Sequence, residues 1–301
     1  MLARVSVPRG TGWPRQRESL DSARIKSCEP PLVAVLRVGE TIACANQKGG
    51  VGKTTTVVNL AAFLVREGRR VLVVDLDPQG NATSGLGLDK GAVSRSIYDA
   101  IVDGTSAADL VVATPSGVDL IPSSMSLAGV ELELVDLPQR ERRLASAIAP
   151  LRDEYDVVLL DCPPSLGLIT VNALTAADDV LIPIQCEYYA LEGLSQLVAT
   201  INLVRDHLNP ALTVKGVLLT MYDARTNLSA DVTAEVRRHL PERVFRTVVP
   251  RSVRLAEAPS YGQPISLYRP DSRGALAYEA LAREFLERGT KHDPILEQVP
   301  A

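Results

Sequence analysis

The stretch Gln47-Lys-Gly-Gly-Val-Gly-Lys-Thr-Thr55 lies between a short apolar run, Thr41–Ala45, and a segment with helical periodicity. Its glycines allow several backbone N–H groups to point into one concavity, and the first turn of the helix adds its dipole. Lys53 supplies a charge for the terminal phosphates of a nucleotide, and Thr54 offers a hydroxyl to Mg²⁺. The stretch therefore predicts a phosphate-binding loop, with ligand contacts from Lys48, Gly49, Gly50, Val51, Gly52, Lys53, Thr54 and Thr55.

A second lysine distinguishes this loop from the usual phosphate-loop pattern. In the pattern G-x-x-x-x-G-K-[ST] the first position is glycine, whereas the residue at that position here is Gln47. The chain instead has Lys48 directly before a pair of glycines and Lys53 directly after Gly52. The predicted loop therefore carries one cation near each end.

Two apolar strands run into carboxylates. Val71-Leu-Val-Val-Asp-Leu-Asp-Pro-Gln-Gly-Asn81 contains Asp75 and Asp77, and Tyr155-Asp-Val-Val-Leu-Leu-Asp-Cys-Pro-Pro-Ser165 contains Asp161 before two prolines that prevent strand continuation. Carboxylates at strand ends beside a phosphate loop can orient water or a metal ion, whereas their burial in mid-strand is costly. The second segment resembles a Walker B strand, so Asp161 is expected to hold Mg²⁺ directly or through water, with Asp75 as a further metal candidate.

Apolar strands and helix-like segments alternate along most of the chain. Strands are expected at 41–45, 71–76, 118–121, 156–160, 179–184, 216–220 and 244–249, and helices at about 54–66, 131–152, 191–208, 228–240 and 274–288. Because the strands are apolar on both faces, the pattern predicts an α/β fold with a mainly parallel, doubly wound sheet flanked by helices. Ligands of such sheets bind beyond the carboxyl ends of the strands. We expect an irregular extension over 1–40, one domain over 41–288 and a flexible tail over 289–301.

Composition and charge restrict the classes of partner. With 46% hydrophobic and only 4% aromatic residues, the 301-residue chain has the make-up of a soluble globular protein. Its net charge of −4 means that attraction to nucleic acid requires a local basic patch. The longest apolar runs are strand-sized, so no association with a membrane is expected. The four cysteines lie far apart without metal-ligand spacing, which favours buried thiols in a reducing cytoplasm.

Four further passages resemble the ParA/Soj chromosome-partitioning ATPases, a family of P-loop ATPases of the MinD/ParA class with a deviant Walker A loop. They are Asp77–Gly87, Gln185–Leu194, Leu219–Asn227 and Pro250–Pro259, and the resemblance extends over about 41–288. It implies that ATP is the substrate, with Mg²⁺, and that Lys48 reaches across a nucleotide-sandwich dimer to the phosphates bound by the other copy. In the same comparison Asp77 positions the attacking water, so that the catalytic residues are Lys48, Lys53 and Asp77.

The same resemblance indicates which residues contact the nucleotide base and which contact DNA. Pro250 and Ser252 are expected beside the adenine, although family members usually carry Asn where this chain has Ser252. ATP is favoured over GTP, since no asparagine of the chain is followed by lysine as guanine recognition requires. The resemblance implies ATP-dependent homodimers that bind double-stranded DNA without sequence preference. Residues 221–275 contain nine arginines and six acidic residues, and the resemblance selects Arg225 and Arg254 as DNA contacts.

The implied partner is a ParB-like centromere-binding protein that stimulates slow ATP hydrolysis, and the implied location is cytoplasmic and nucleoid-associated. A MinD-like positioning ATPase is one alternative, but it would end in a basic amphipathic helix, and residues 288–301 are interrupted by Pro294 and Pro300. A P-loop phosphotransferase acting on a small acceptor is a second. An ATP-switched scaffold without turnover is the third, and it predicts that replacing Asp77 leaves the rate of hydrolysis unchanged.

Overall fold

The computed structural model describes residues 39–187 and 190–288. The expected extension over 1–40 therefore falls largely outside the described residues, and the expected tail over 289–301 falls wholly outside them. The strands are β1 Glu40–Cys44, β2 Val71–Asp75, β3 Val112–Ala113, β4 Asp119–Ile121, β5 Val157–Asp161, β6 Asp179–Gln185, β7 Thr213–Tyr222 and β8 Val244–Pro250. The α-helices are α1 Lys53–Arg66, α2 Asn81–Gly85, α3 Ile97–Val102, α4 Val130–Leu134, α5 Arg143–Ile148, α6 Leu168–Ala176, α7 Ala190–His207, α8 Asn227–His239, α9 Val253–Glu257, α10 Ile265–Tyr268 and α11 Arg273–Arg288.

The strands form one sheet in the order β3-β4-β2-β5-β1-β6-β7-β8. Every neighbouring pair is parallel except the edge pair of β3 and β4. The chain runs from β1 outward to one side through β2 and later to the other side through β6, so the carboxyl ends of β1, β2 and β5 lie side by side. This arrangement confirms the predicted doubly wound α/β fold.

Helices cover both faces of the sheet. Ile42 and Cys44 of β1 join the cluster that contains α1 and α11, whereas Ala43 between them joins the cluster that contains α3, α5, α6, α7 and α8. Successive strand side chains point to opposite faces, so a strand covered on both sides must be apolar at every position. Each fully buried aliphatic side chain contributes about 1.5–3 kcal/mol to folding. No helix in the described part of the chain is long and apolar enough to cross a bilayer.

The first helix begins and ends where its sequence predicts. Gly52, with φ of 90°, precedes α1, and Gly68, with φ of 80°, follows its last turn. Both values lie in the left-handed region, where glycine has no steric penalty. The N–H of Gly68 donates to the carbonyl of Val65 at 2.9 Å, closing the helix end.

The predicted long helix over 131–152 is wrong. The segment consists of α4, short 3₁₀ turns at Arg140–Arg142 and Ala149–Leu151, and α5 between them. Pro138 and Pro150 lack the N–H that a continuous helix needs, and Gln139 adopts φ of 53°. The sequence pattern also did not indicate the two-residue edge strand β3 or the helices α2, α3, α6, α9 and α10, which are too short or too evenly apolar to show periodicity.

Candidate functional site

The backbone of the loop between β1 and α1 is shaped by glycines with positive φ and fixed by hydrogen bonds from neighbouring residues. Gly50 and Gly52 have φ of 74° and 90°, which turn successive backbone N–H groups toward one concavity. The carbonyl of Val51 accepts a hydrogen bond from the Thr220 hydroxyl at 2.8 Å. The side-chain oxygen of Asn46 accepts from the Lys48 N–H at 3.0 Å. The loop therefore has a fixed backbone shape that can receive phosphate oxygens.

The two lysines of the loop occupy different environments. Lys53 is only 7% exposed, and its ammonium donates to the Lys48 carbonyl at 3.1 Å, so its charge lies inside the loop. The Lys48 side chain is 38% exposed, and its ammonium lies 3.6 Å from a carboxylate oxygen of Glu187. Lys53 is thus placed to bind a ligand of its own loop, while Lys48 lies partly exposed at the surface.

Asp161 provides an unpaired acid beside the phosphate loop. It ends β5, where its Cα is paired in register with Cys44 of β1 and with Asp75 of β2. Both carboxylate oxygens are buried, and neither has a partner in good hydrogen-bond geometry among the described residues, although the Thr54 hydroxyl lies close enough to act on the carboxylate. Burial raises the pKa of Asp161 well above its usual value, the Asp75 carboxylate raises it further, and the Thr54 hydroxyl lowers it.

A buried carboxylate without a partner is costly, so its retention indicates a cationic ligand. Hard oxygen donors are the ligands that Mg²⁺ prefers, and Asp161 together with the Thr54 hydroxyl supplies them. The donor set therefore fits Mg²⁺. Among the described residues no three or more His, Cys, Asp or Glu side chains are placed to hold a metal ion together, so the remaining ligands would be water and phosphate oxygens.

Asp75 and Asp77 have different surroundings. One oxygen of the Asp75 carboxylate accepts both the N–H and the hydroxyl of Thr83 at 2.7 Å, and the other accepts the Asp77 N–H at 3.2 Å. Burial raises the pKa of Asp75 to about 6, against the lowering effect of these hydrogen bonds. Asp77 is 8% exposed, and its carboxylate accepts one hydrogen bond, from the Gln79 N–H at 2.9 Å. Both Asp75 carboxylate oxygens therefore accept hydrogen bonds from neighbouring residues, whereas the Asp77 carboxylate can still accept further hydrogen bonds.

A cavity of about 260 Å³ opens beside the phosphate loop. Its lining includes Gly52 and Thr55 from the loop and Pro250 and Ser252 from the end of β8. Apolar walls come from Val249, Leu255 and Ala256. The structure thus brings together the residues predicted beside the base with those predicted at the phosphates. Met221, which also lines the cavity, has φ of 52°, a strained value for a residue with a side chain.

Arg225 and Arg254 follow the carboxyl ends of the neighbouring strands β7 and β8. Their side chains are 86% and 53% exposed. The Arg225 guanidinium contacts Asp223 at 2.7 Å, and that of Arg254 contacts Glu257 at 2.8 Å. These pairs hold the pKa of Asp223 well below its usual range and also lower that of Glu257. The two arginines lie on the surface at the same edge of the sheet as the phosphate loop.

Several contacts at the site were missed by sequence reasoning. Glu187 lies within the passage that carries the family resemblance, yet no spacing relates it to Lys48. Its other carboxylate oxygen lies 3.7 Å from the Arg251 guanidinium and accepts from the Gln185 side chain. Tyr188 and Tyr189 of the same passage lie outside the described residues. Of the four cysteines, Cys44, Cys162 and Cys186 are buried and free, as expected.

The chain is similar to characterised proteins over most of its length. A family model described as an AAA domain matches residues 39–214. The sporulation initiation inhibitor protein Soj of Bacillus subtilis is 56% identical over 84% of this chain and 100% of its own length. The chromosome partitioning protein ParA of Myxococcus xanthus is 52% identical over 85% of this chain and 91% of its own.

Solved structures agree on the fold. A structure named as cobyrinic acid a,c-diamide synthase from Mycobacterium smegmatis, with bound ATP analogue and magnesium, is 41% identical with a TM-score of 0.73, and the match covers 82% of this chain and 93% of that one. The cell division ATPase MinD of Pyrococcus furiosus is 27% identical with a TM-score of 0.68, over 82% and 98% of the two chains. On its sequence, its sheet and its phosphate loop, the chain belongs to the Soj/ParA family of chromosome-partitioning P-loop ATPases.

Proposed function

We propose that this protein is an ATP-dependent DNA-segregation ATPase whose ATP-bound dimer binds DNA and whose hydrolysis releases it. The observation that supports the proposal is the proximity of three groups at the carboxyl ends of the strands: the charges of the buried Lys53 ammonium and of the Asp77 carboxylate both act on the buried Asp161 carboxylate. A cation for phosphate, a ligand for Mg²⁺ and an acceptor for water are the parts that phosphoryl transfer to water requires.

The residues of the chain divide the chemistry between them. The loop N–H groups and Lys53 would bind the β- and γ-phosphates, and Asp161 with Thr54 would hold Mg²⁺, which would neutralise charge on the transferring phosphoryl group. Asp77 accepts a hydrogen bond from the attacking water and aims it in line with the bond that breaks. Pro250 and Ser252 border the cavity that receives the adenine.

Lys48 is proposed to act in the second copy of a homodimer. Its exposed ammonium is held by an ion pair with Glu187 that is itself exposed, and such pairs contribute only about 0–1 kcal/mol. The charge of a bound triphosphate exceeds that of a single carboxylate, so Lys48 can leave Glu187 for the phosphates of the other copy. ATP would thereby join the two copies through charge.

Arg225 and Arg254 are proposed to contact the backbone of double-stranded DNA. Both are exposed arginines whose present partners are carboxylates of their own segments, so phosphate oxygens can replace those partners at small cost. Phosphate contacts of this kind carry no sequence information, which accounts for binding along a nucleoid. A ParB-like centromere-binding protein is proposed to stimulate the slow hydrolysis and so release the dimer from DNA, in the cytoplasm.

DNA binding measured at several salt concentrations tests the proposal. Wild type and Lys48→Ala are compared with ATP, with ADP and without nucleotide. We expect wild type with ATP to be retained on DNA, with an affinity that falls steeply as salt rises, and the other states to be released. Equal retention in all three nucleotide states would contradict the proposed switch.

Turnover distinguishes the remaining functions. With γ-labelled ATP we expect inorganic phosphate as the labelled product, and none after Asp77→Ala. Label recovered on a small acceptor would instead indicate a phosphotransferase. Unchanged turnover after Asp77→Ala would instead favour the ATP-switched scaffold, in which Asp77 has no part in hydrolysis.

A further inference from the structure

A closed ring of hydrogen bonds surrounds the backbone of Asp77. The Ser123 hydroxyl donates to the Asp77 carbonyl at 2.6 Å, and the Ser123 N–H donates to the Thr83 hydroxyl at 3.1 Å. The Thr83 hydroxyl donates in turn to the Asp75 carboxylate, whose other oxygen accepts the Asp77 N–H. Four residues from three separate segments therefore hold one another in a circuit.

The ring is buried, and each of its four hydrogen bonds is made between protein groups. Asp75 and Thr83 are inaccessible to solvent, Ser123 is 2% exposed and Asp77 is 8% exposed. Hydrogen bonds in such surroundings are stronger than in water, and a buried network with every member paired favours a single geometry. The backbone of Asp77 is thus fixed on both sides, through its N–H and through its carbonyl.

Strand pairing explains why Ser123 reaches Asp77. β4 lies beside β2, with Val74 and Ile121 in register. Counted on from that pair, Ser123 is level with Leu76, one residue before Asp77, so its hydroxyl reaches the Asp77 carbonyl beyond the ends of the two strands. The segment after β4 is otherwise unconnected to the phosphate chemistry by any motif.

We infer that Ser123 and Thr83 are positioning residues that orient Asp77 for its role in ATP hydrolysis. This inference rests on the proposed function, because Asp77 needs to be oriented only if it positions the attacking water. Ser123 does not touch the reacting atoms. It acts through the Asp77 carbonyl, which fixes the direction in which the Asp77 side chain leaves the backbone.

The experiment compares single-turnover hydrolysis and the KM for ATP in full-length variants. Ser123→Ala removes only the hydroxyl, and the Asp77 carbonyl keeps its bond from the Gly80 N–H at 2.8 Å, so folding is not put at risk. We expect the hydrolysis rate to fall about three- to tenfold, the range of a single lost hydrogen bond, with KM within about twofold of wild type. Ser124→Ala is the matched control, because the neighbouring Ser124 hydroxyl bonds Ser96 at 2.9 Å instead.

Two substitutions of Thr83 form the second part of the experiment. Thr83→Ser keeps the hydroxyl and is expected to retain the wild-type rate, whereas Thr83→Val breaks the ring and should lower the rate at least as much as Ser123→Ala. A wild-type rate in Ser123→Ala, or an equal loss in Ser124→Ala, would overturn the inference. A wild-type protein that does not hydrolyse ATP would instead overturn the proposed function, so the two failures are distinguishable.

Discussion

The Lys48 ammonium lies 3.6 Å from the Glu187 carboxylate of its own chain, and both side chains are partly exposed. The contact joins the start of the phosphate loop to the segment after β6. Because Lys48 is proposed to bind phosphate in a second copy, Glu187 competes with that phosphate for the same charge. Glu187 therefore holds Lys48 within its own protomer.

Removing the charge of Glu187 should favour the dimer. With a non-hydrolysable ATP analogue, we expect Glu187→Gln to dimerise about two- to fivefold more tightly than wild type, as the loss of one exposed ion pair allows. Sedimentation velocity over a concentration series measures this change. Glu67→Gln, which removes the partner of Arg283 on the surface, is the control. A weaker dimer in Glu187→Gln would contradict the competition.

Neutralising Asp161 should stabilise the free protein while removing Mg²⁺-dependent nucleotide binding. Burial disfavours the charged form of Asp161 more than the Thr54 hydroxyl favours it, so the neutral Asp161→Asn is expected to raise the free energy of unfolding at neutral pH by about 1–3 kcal/mol. Chemical denaturation without nucleotide measures the gain. Calorimetric titration with ATP and Mg²⁺ measures the loss. A destabilised variant would show that Asp161 has a structural partner.

The pH dependence of stability follows from the same acids. The pKa of Asp75 is raised from 3.8 to about 6, and burial shifts Asp161 in the same direction. The folded protein then binds more protons than the unfolded chain between these values, so these groups make stability fall as pH rises through that window. Thermal unfolding of the nucleotide-free protein between pH 5 and 7 should show a flatter profile in Asp161→Asn than in wild type. Identical slopes would contradict this account.

Replacing Gly52 should damage the loop through backbone strain. Its φ of 90° is unfavourable for any residue with a Cβ, while the nearest atom to such a Cβ, Thr220 Cγ2, lies at an ordinary 3.8 Å. We expect Gly52→Ala to lower the free energy of unfolding by about 1–2 kcal/mol and to weaken ATP binding. Gly49→Ala, where the nearest atom lies at 4.0 Å and φ is not positive, should cost much less stability in the same denaturation experiment.

Loss of the surface arginines should weaken DNA binding without affecting the dimer. Arg225→Ala and Arg254→Ala are each expected to reduce the salt dependence of DNA affinity by about one unit of slope. Filter binding across a salt series gives the slope, and sedimentation with the ATP analogue checks that the dimer persists. Arg283→Ala, an exposed arginine paired with Glu279 on α11, should leave the slope at its wild-type value. If all three variants behave alike, the contact surface lies elsewhere.

Features that depend on neighbours along the chain could be predicted from the order of the amino acids. Apolar runs ending in Asp75 and Asp161 indicated strands with acids at their ends, and the glycines around Lys53 indicated a turn with positive φ before a helix. These are local consequences of steric freedom and solvation, so a short stretch is enough to specify them. The prediction of one helix over 131–152 was wrong because it gave more weight to an apparent helical spacing of apolar residues than to the prolines that interrupt the segment.

Contacts between residues far apart in the chain became visible in the folded protein alone. Ser123 contacts Asp77, Thr220 holds the carbonyl of Val51, and Glu187 reaches Lys48. These contacts follow from the order of strands in the sheet, which places β4 beside β2 and β6 beside β1. Strand order is a property of how the buried faces pack as a whole, and no spacing in the sequence encodes it. The residue types that carry the chemistry of the site could therefore be predicted from the sequence, whereas the contacts that orient these residues depend on the fold.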